Sequence, residues 1–394
     1  MSDHIYIHVP FCLKKCRYCD FYSQTDLSLI PGYVKALIRE IELRSVSEVH
    51  SLESPVKTVY FGGGTPSVMP LNAVETILNV LDQRYGITFE TEITFEANPG
   101  TLDIEYLRNL AGLGINRLSL GLQAFDDESL DFLGRIHSGE ESFQAIRDAR
   151  TAGFKNIGLD LIYGLPGQSR KAWQIELEQA LALEPEHLSC YMLTLEPETP
   201  LYTMYQNDDF IPMKGENQVD LFLFTSDYLK DKGWDHYEIS NFARTASKRS
   251  RHNCAYWNMV PYSGFGPSAH SYNIYRQPGK PVNHIRSWNQ SDLGAYLKAL
   301  SEKSLPVAEN ELLTKIQLQM EMVMVGLRMS SGFDVRAFDA LSASSSNSKV
   351  YELIKDLEAQ NLGALSASEQ YFALTRAGWA RLDSIVESFA SIIL

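Results

Sequence analysis

Short apolar runs of strand length alternate with longer amphipathic stretches through the first half of the chain. Short apolar runs at 5–9, 57–61, 92–96, 117–121, 158–163 and 187–193, several of them with β-branched residues, predict strands. Between them, apolar positions recur at helical spacing over 31–49, 71–85, 104–113, 139–152 and 171–183. Strand and helix in steady succession predict βαβ units, hence an α/β protein with a parallel sheet. The rhythm is lost after Leu195, two repeats short of a closed eight-stranded barrel. The expectation is a partial (β/α)6 barrel over residues 1–210, curved but not closed.

The second half has another pattern. A helix is expected over 216–232, followed by the run Tyr237-Glu238-Ile239-Ser240-Asn241-Phe242-Ala243 and an aromatic, glycine-rich stretch to Tyr275. From about Glu309 the order is an apolar helix at 312–329, two shorter helices, and a hairpin-like pair near Leu365 and 371–374. That order suits a small winged-helix-like domain. The expected division is therefore 1–210 for the barrel, 211–305 for an extension and 306–394 for the C-terminal domain.

In parallel α/β architectures chemistry collects at the C-terminal ends of strands. The unusual residues fall there. Behind the first strand come Cys12, Cys16 and Cys19, spaced C-x3-C-x2-C. The second strand ends in Gly62-Gly63-Gly64-Thr65-Pro66, the third in Glu96-Ala97-Asn98-Pro99-Gly100, and the fourth in Gly121-Leu122-Gln123. The fifth carries Asp160 and then Gly164-Leu165-Pro166-Gly167. Three thiolates on one short loop can converge on a soft metal centre. They suit an iron–sulfur cluster with one open iron or a zinc site completed by His8 or Asp20, the remaining alternative being three unrelated thiols.

Composition narrows the class. The 394 residues are 44% hydrophobic and 11% aromatic, as in a folded globular protein. The N-terminus lacks the basic and apolar regions of a secretory signal, and no run approaches membrane-spanning length. Five cysteines, three of them clustered, suit a reducing cytoplasm better than a disulfide framework. A net charge of −14 argues against nucleic-acid binding. Acidic residues also outnumber basic ones in 309–394, against a DNA-reading winged helix. Arg244, Lys248, Arg249 and Arg251 form a local basic cluster, either a solvated loop or a contact for an anionic ligand. The serine run 342–348 reads as a flexible loop.

The cysteine loop resembles the signature of radical S-adenosylmethionine (SAM) enzymes, whose open iron is chelated by SAM. The glycine turn is similar to the GGxTP turn of that superfamily. The runs Ser119–Gln123, Leu133–His137 and Asp160–Gly167 resemble the oxygen-independent coproporphyrinogen III oxidase-like group. The resemblance implies a [4Fe–4S] cluster on Cys12, Cys16 and Cys19. It also implies SAM lined by Tyr6, Tyr18, Gly63, Gly64, Thr65, Glu96, Gln123, Arg135 and Asp160. Arg135 suits the SAM carboxylate and Asp160 the ribose hydroxyls.

Within that group the oxidases carry a fourth cysteine where this chain has Phe21, and a segment before the loop where only eleven residues precede Cys12. The run His252-Asn253-Cys254-Ala255-Tyr256-Trp257 instead matches the HNxxYW motif of the HemW haem chaperones. That resemblance implies haem bound through His252, with Tyr256 and Trp257 offering apolar faces, and Cys254 ranked behind His252 as a ligand. It implies transfer to haem-accepting proteins, such as respiratory haemoproteins at the membrane, with a ferritin-type haem donor as a further partner. The protein would then be cytoplasmic and peripheral to the membrane. The competing expectation is a radical SAM decarboxylase of the oxidase type. The oligomeric state stays open, a dimer among the options, as do enzymatic activity and the role of His270.

Overall fold

The structure is a computed structural model that describes residues 3–47, 55–276, 279–341 and 347–394. The end of the first expected helix, at 48–49, and most of the serine run, at 342–346, lie outside the described residues.

The alternating pattern forms as expected. Strands β1 (His4–Val9), β2 (Thr58–Gly63), β3 (Glu92–Ala97), β4 (Arg117–Gln123), β5 (Ile157–Tyr163) and β6 (His187–Met192) lie side by side in chain order. All their pairings are parallel, with Ile5 opposite Val59 and Leu120 opposite Leu159. The strands are buried along almost their whole length, which is why they read as near-continuous apolar runs.

Helices α1 (Ile30–Ser47), α2 (Leu71–Tyr85), α3 (Ile104–Gly112), α4 (Asp127–Leu133), α5 (Gly139–Thr151) and α6 (Arg170–Ala182) connect them. Their ends are chemically marked. Asp103 and Ser169 cap α3 and α6, and Ser138 with Glu141 forms a capping box on α5. On α2, Val74, Ile77, Leu78 and Leu81 make the buried stripe, and Gly86 ends the helix at φ 72°.

The chain divides into two compact units, 1–213 with 261–311, and 214–260 with 312–394. This differs from the three-part division read in the sequence, because the expected extension at 211–305 is shared between the units. Its later part belongs with the sheet for a specific reason. Residues Ser263–Phe265 form a further parallel strand on the free side of β1, with Ile7 opposite Phe265. A buried network on α1 secures it. Glu40 accepts hydrogen bonds from Gly266 N (2.9 Å), Asn289 Nδ2 (2.7 Å) and Tyr296 OH (2.8 Å), and pairs with Arg44 at 2.8 Å.

In the second unit, Tyr237, Ala243 and Met329 form a core against which Cys254 and Trp257 pack. Helices Lys315–Gly326, Val335–Leu341 and Asn347–Ala359 precede the hairpin Gly363–Leu365 and Tyr371–Leu374. That is the winged-helix-like order expected. Strand Phe333–Asp334 and the closing helix Leu382–Ile393 were not.

Candidate functional site

The three cysteines sit on the connection from β1 to α1. Backbone bonds from Cys12 N to Gln24 O and from Gln24 N to Pro10 O, both 2.9 Å, close the loop at its base. Arg17 fastens its far side: its backbone N–H reaches Leu133 O at 3.1 Å, and its guanidinium reaches Asp131 O at 2.9 Å. Cys12 is buried, while Cys16 and Cys19 are partly exposed. Burial pushes the Cys19 thiol up to about 11, and the neighbouring Cys16 and Cys12 add to the rise. A metal centre binds the thiolate, so loading such a site releases the thiol protons to solvent.

Two donors address the sulfurs. Thr65 Oγ1 donates to Cys12 Sγ at 3.4 Å and Arg135 Nη1 to Cys16 Sγ at 3.2 Å. Such bonds tune iron–sulfur ligands. A zinc site fits less well. His8 has Nε2 engaged with Tyr22 O at 2.9 Å and Nδ1 with Tyr6 OH at 3.2 Å, and Asp20 is exposed. Among the described residues no three His, Cys, Asp or Glu side chains form a single-ion site.

The glycine turn lies directly against the loop. Gly64 N donates to Val9 O (2.8 Å) and Thr65 N to Phe11 O (2.7 Å). A β-carbon on Gly64 would come within 2.6 Å of Phe11 O. Gly63 stands at φ 106°, and a β-carbon there would lie 2.7 Å from the His8 ring. Only glycine permits so close an approach of backbone to neighbour.

Around the turn the strand ends supply polar groups. Tyr60 OH donates to Glu96 Oε1 at 2.7 Å. Burial pushes the Glu96 carboxyl up to about 7, Asp160 adds to the rise, and the bonds from Tyr60 and Gly63 oppose it. Asp160 accepts from Ser119 Oγ at 3.2 Å, and burial raises its carboxyl as well. Gln123 stands at φ 71° beside a register shift in the β4–β5 pairing, an irregularity that re-aims the end of a strand.

Arg135 is delivered by α4, the short helix that the sequence reading did not find. Gly134 ends α4 in the left-handed conformation at φ 76°, and Arg135 turns back toward β4. Its Nη2 donates to Gly121 O and to Asn98 Oδ1, both at 2.6 Å, and it also bonds Tyr18, whose hydroxyl burial shifts upward. Arg135 Nε is shielded from water and has no acceptor among the described residues, a donor left over for a carboxylate. Asn98 is a site residue that sequence reasoning missed. It bridges Arg135 to Thr65, its Nδ2 lying 3.0 Å from Thr65 Oγ1. Its place directly after Glu96 and Ala97 was the available signal. The thiols and the glycine turn follow β1 and β2, Glu96 stands near the end of β3, Asp160 lies within β5 and Arg135 follows α4, and this donor set fits a cluster and a zwitterionic ligand.

In the second unit, Ser250 caps the helix Arg251–Trp257 that carries the HNxxYW run. The four-residue spacing brings His252 and Tyr256 onto one face. His252 is 1% exposed, and its Nε2 lies 2.8 Å from Tyr256 OH, the rings meeting edge to face. Trp257 packs on the Tyr237 core beneath Arg328, whose guanidinium carbon is 4.5 Å from the ring centroid. Of the basic cluster at 244–251, Arg249 is engaged by Asp235 at 2.7 Å and Arg244 lies over Trp234.

Comparison with known proteins matches this architecture. The family model of the Radical SAM superfamily matches residues 6–179, and that of the HemN C-terminal domain matches 313–381. The chain is 38% identical over 341 residues to the heme chaperone HemW of Synechocystis sp., covering 84% of this chain and 79% of that protein. It is 33% identical to the heme chaperone HemW of Bacillus subtilis, covering 95% of each. The fold is similar to that of the radical SAM coproporphyrinogen III oxidase HemN of Escherichia coli. That similarity has a TM-score of 0.79 at 22% identity and covers 98% of this chain and 89% of that one. The chain belongs to the family of these HemW proteins, within the radical SAM superfamily.

Proposed function

We propose that the protein is a haem chaperone that holds a [4Fe–4S] cluster and SAM, binds haem, and passes it to acceptor proteins. The observation that carries the reading is the HNxxYW helix in a chain whose three-thiol loop has an exposed Phe21 in place of a fourth cysteine. Cys12, Cys16 and Cys19 hold the cluster, which supplies one-electron chemistry and an open iron when bound. Thr65 and Arg135 hydrogen-bond the ligating sulfurs. Arg135 Nε meets the SAM carboxylate, Glu96 and the glycine turn its ammonium group, and Asp160 its ribose. Tyr6, Tyr18 and Gln123 close the walls of the same site.

His252 is the haem-iron ligand, released for the purpose from Tyr256. Acceptors are haemoproteins, including respiratory ones at the membrane, and a ferritin-type protein is a fitting donor. No helix among the described residues is long and apolar enough to cross a membrane, so contact with a membrane acceptor would be peripheral.

The test is anaerobic reconstitution followed by two assays on one preparation. Haem should bind near one per chain and move to an apo-haemoprotein, while coproporphyrinogen III with SAM and reductant stays intact. Decarboxylated vinyl products at an enzymatic rate, without haem transfer, would overturn the reading in favour of the oxidase.

A further inference from the structure

We infer that Arg328 and the indole N–H of Trp257 form a receptor for a carboxylate, a propionate of the porphyrin. The inference rests on the haem reading and adds the pair of groups that holds the ligand's acidic edge. Neither residue type nor spacing marked Arg328 in the sequence. It follows the helix Lys315–Gly326, in the run Gly326-Leu327-Arg328-Met329, and comes to lie over the Trp257 ring.

The decisive feature is what these two side chains lack. Arg328 Nε is shielded from water and has no hydrogen-bond partner among the described residues. Nε1 of Trp257 is shielded and unpartnered in the same way. Both residues are partly exposed as a whole, so a ligand can approach them from solvent. Buried donors without acceptors are costly, and native proteins keep few unless a water, ion or ligand completes them. Two N–H donors at one ring match the two oxygens of a carboxylate, and the guanidinium bond is charge-assisted. The indole face also holds the guanidinium in place through its π-system.

The surroundings set the alternatives. Glu238 is fully buried, its Oε2 also lacks a partner among the described residues, and the charge of Arg328 acts to keep it ionised. Burial raises the Glu238 carboxyl, which lessens its opposition to a second carboxylate. One water between Arg328 Nε and Glu238 Oε2 would satisfy both without any ligand. Arg249, the guanidinium prominent in the sequence, already has Asp235.

The experiment titrates the full-length protein with haem and with haem dimethyl ester, whose carboxylates are masked, and follows the visible spectrum. The wild type should prefer free haem by about ten- to a hundred-fold. Arg328→Leu should lose that preference while keeping the wild-type affinity for the ester and the wild-type spectrum, because iron ligation is untouched. Arg328→Lys keeps the charge but not the fork, and Trp257→Phe keeps the ring but not the donor. Each should lose part of the preference, which covers the case in which the leucine variant fails to fold. Full preference retained in the Arg328 variants would overturn the receptor and leave a water joining Arg328 to Glu238. A wild type that binds neither ligand would overturn the haem reading itself.

Discussion

The thiol loop and the HNxxYW helix carry their chemistry in opposite states. At the loop, Thr65 and Arg135 already address the sulfurs, and the shielded Arg135 Nε, without an acceptor among the described residues, remains to receive a ligand. On the helix, the group best suited to a metal is spent internally, His252 being buried with Nε2 on Tyr256. A resident cofactor repays a site kept assembled. A cargo that must leave again is served by a ligand that can be re-covered, and a hydrogen bond with a net worth of about 0.5–1.5 kcal/mol is small enough for haem to displace.

The largest effect tests the assembled side. Alanine at Cys12, Cys16 or Cys19 should take reconstituted iron from about four per chain to none, because three thiolates are the minimum for the cluster. Cys190→Ala and Cys254→Ala should keep it. Iron analysis with EPR spectroscopy decides, and a stoichiometric zinc ion in cell-derived protein would break the contrast at its root.

Next in size, Asp160→Ala should leave the cluster but weaken SAM by about ten- to a hundred-fold, the loss of charge-assisted hydrogen bonds. Calorimetric titration showing unchanged affinity removes Asp160 from the site.

A third prediction concerns pH. The Glu96 carboxyl is raised to about 7, so the ligand-free fold binds its proton more tightly than the unfolded chain does. This contribution to stability is present at low pH and declines as pH rises through 7. SAM brings an ammonium group that wants the carboxylate ionised, so its affinity has the opposite slope. It should fall by up to about tenfold per unit below pH 7 and level off above it. Glu96→Gln should flatten the profile; a slope that survives the substitution assigns the titration elsewhere.

The smallest effect sharpens the covered side. Tyr256→Phe frees His252 Nε2 and should raise haem affinity by about two- to tenfold, the net worth of the lost bond. His252→Ala should change the visible spectrum. If Tyr256→Phe leaves affinity and spectrum unaltered, His252 is not the ligand and Cys254 becomes the next candidate.

The βαβ frame was legible because each strand is buried on both faces and each helix has one buried stripe, so periodicity alone separates them. Asp103, Ser138 and Ser169 cap three of these helices, a local feature of the same kind. Helix α4 escaped because seven residues hold too few turns for a periodic signal. The strand Ser263–Phe265 escaped because three residues pair with β1 only through contacts more than two hundred positions away. Composition changes over 211–305, but which residues pack together there is set by partners distant in the chain.

The sequence by itself determined the chemistry on offer: three thiols at loop spacing, a glycine turn without side chains, and a histidine one helical turn from a tyrosine. These are local properties, set by neighbours within a few residues. Only the tertiary structure decided which of those groups are available. Long-range packing brought Asn98 between Thr65 and Arg135, closed His252 against solvent, and set Arg328 over Trp257 with its Nε lacking an acceptor among the described residues. Availability depends on burial and on partners from distant parts of the chain, and pattern along a sequence carries neither.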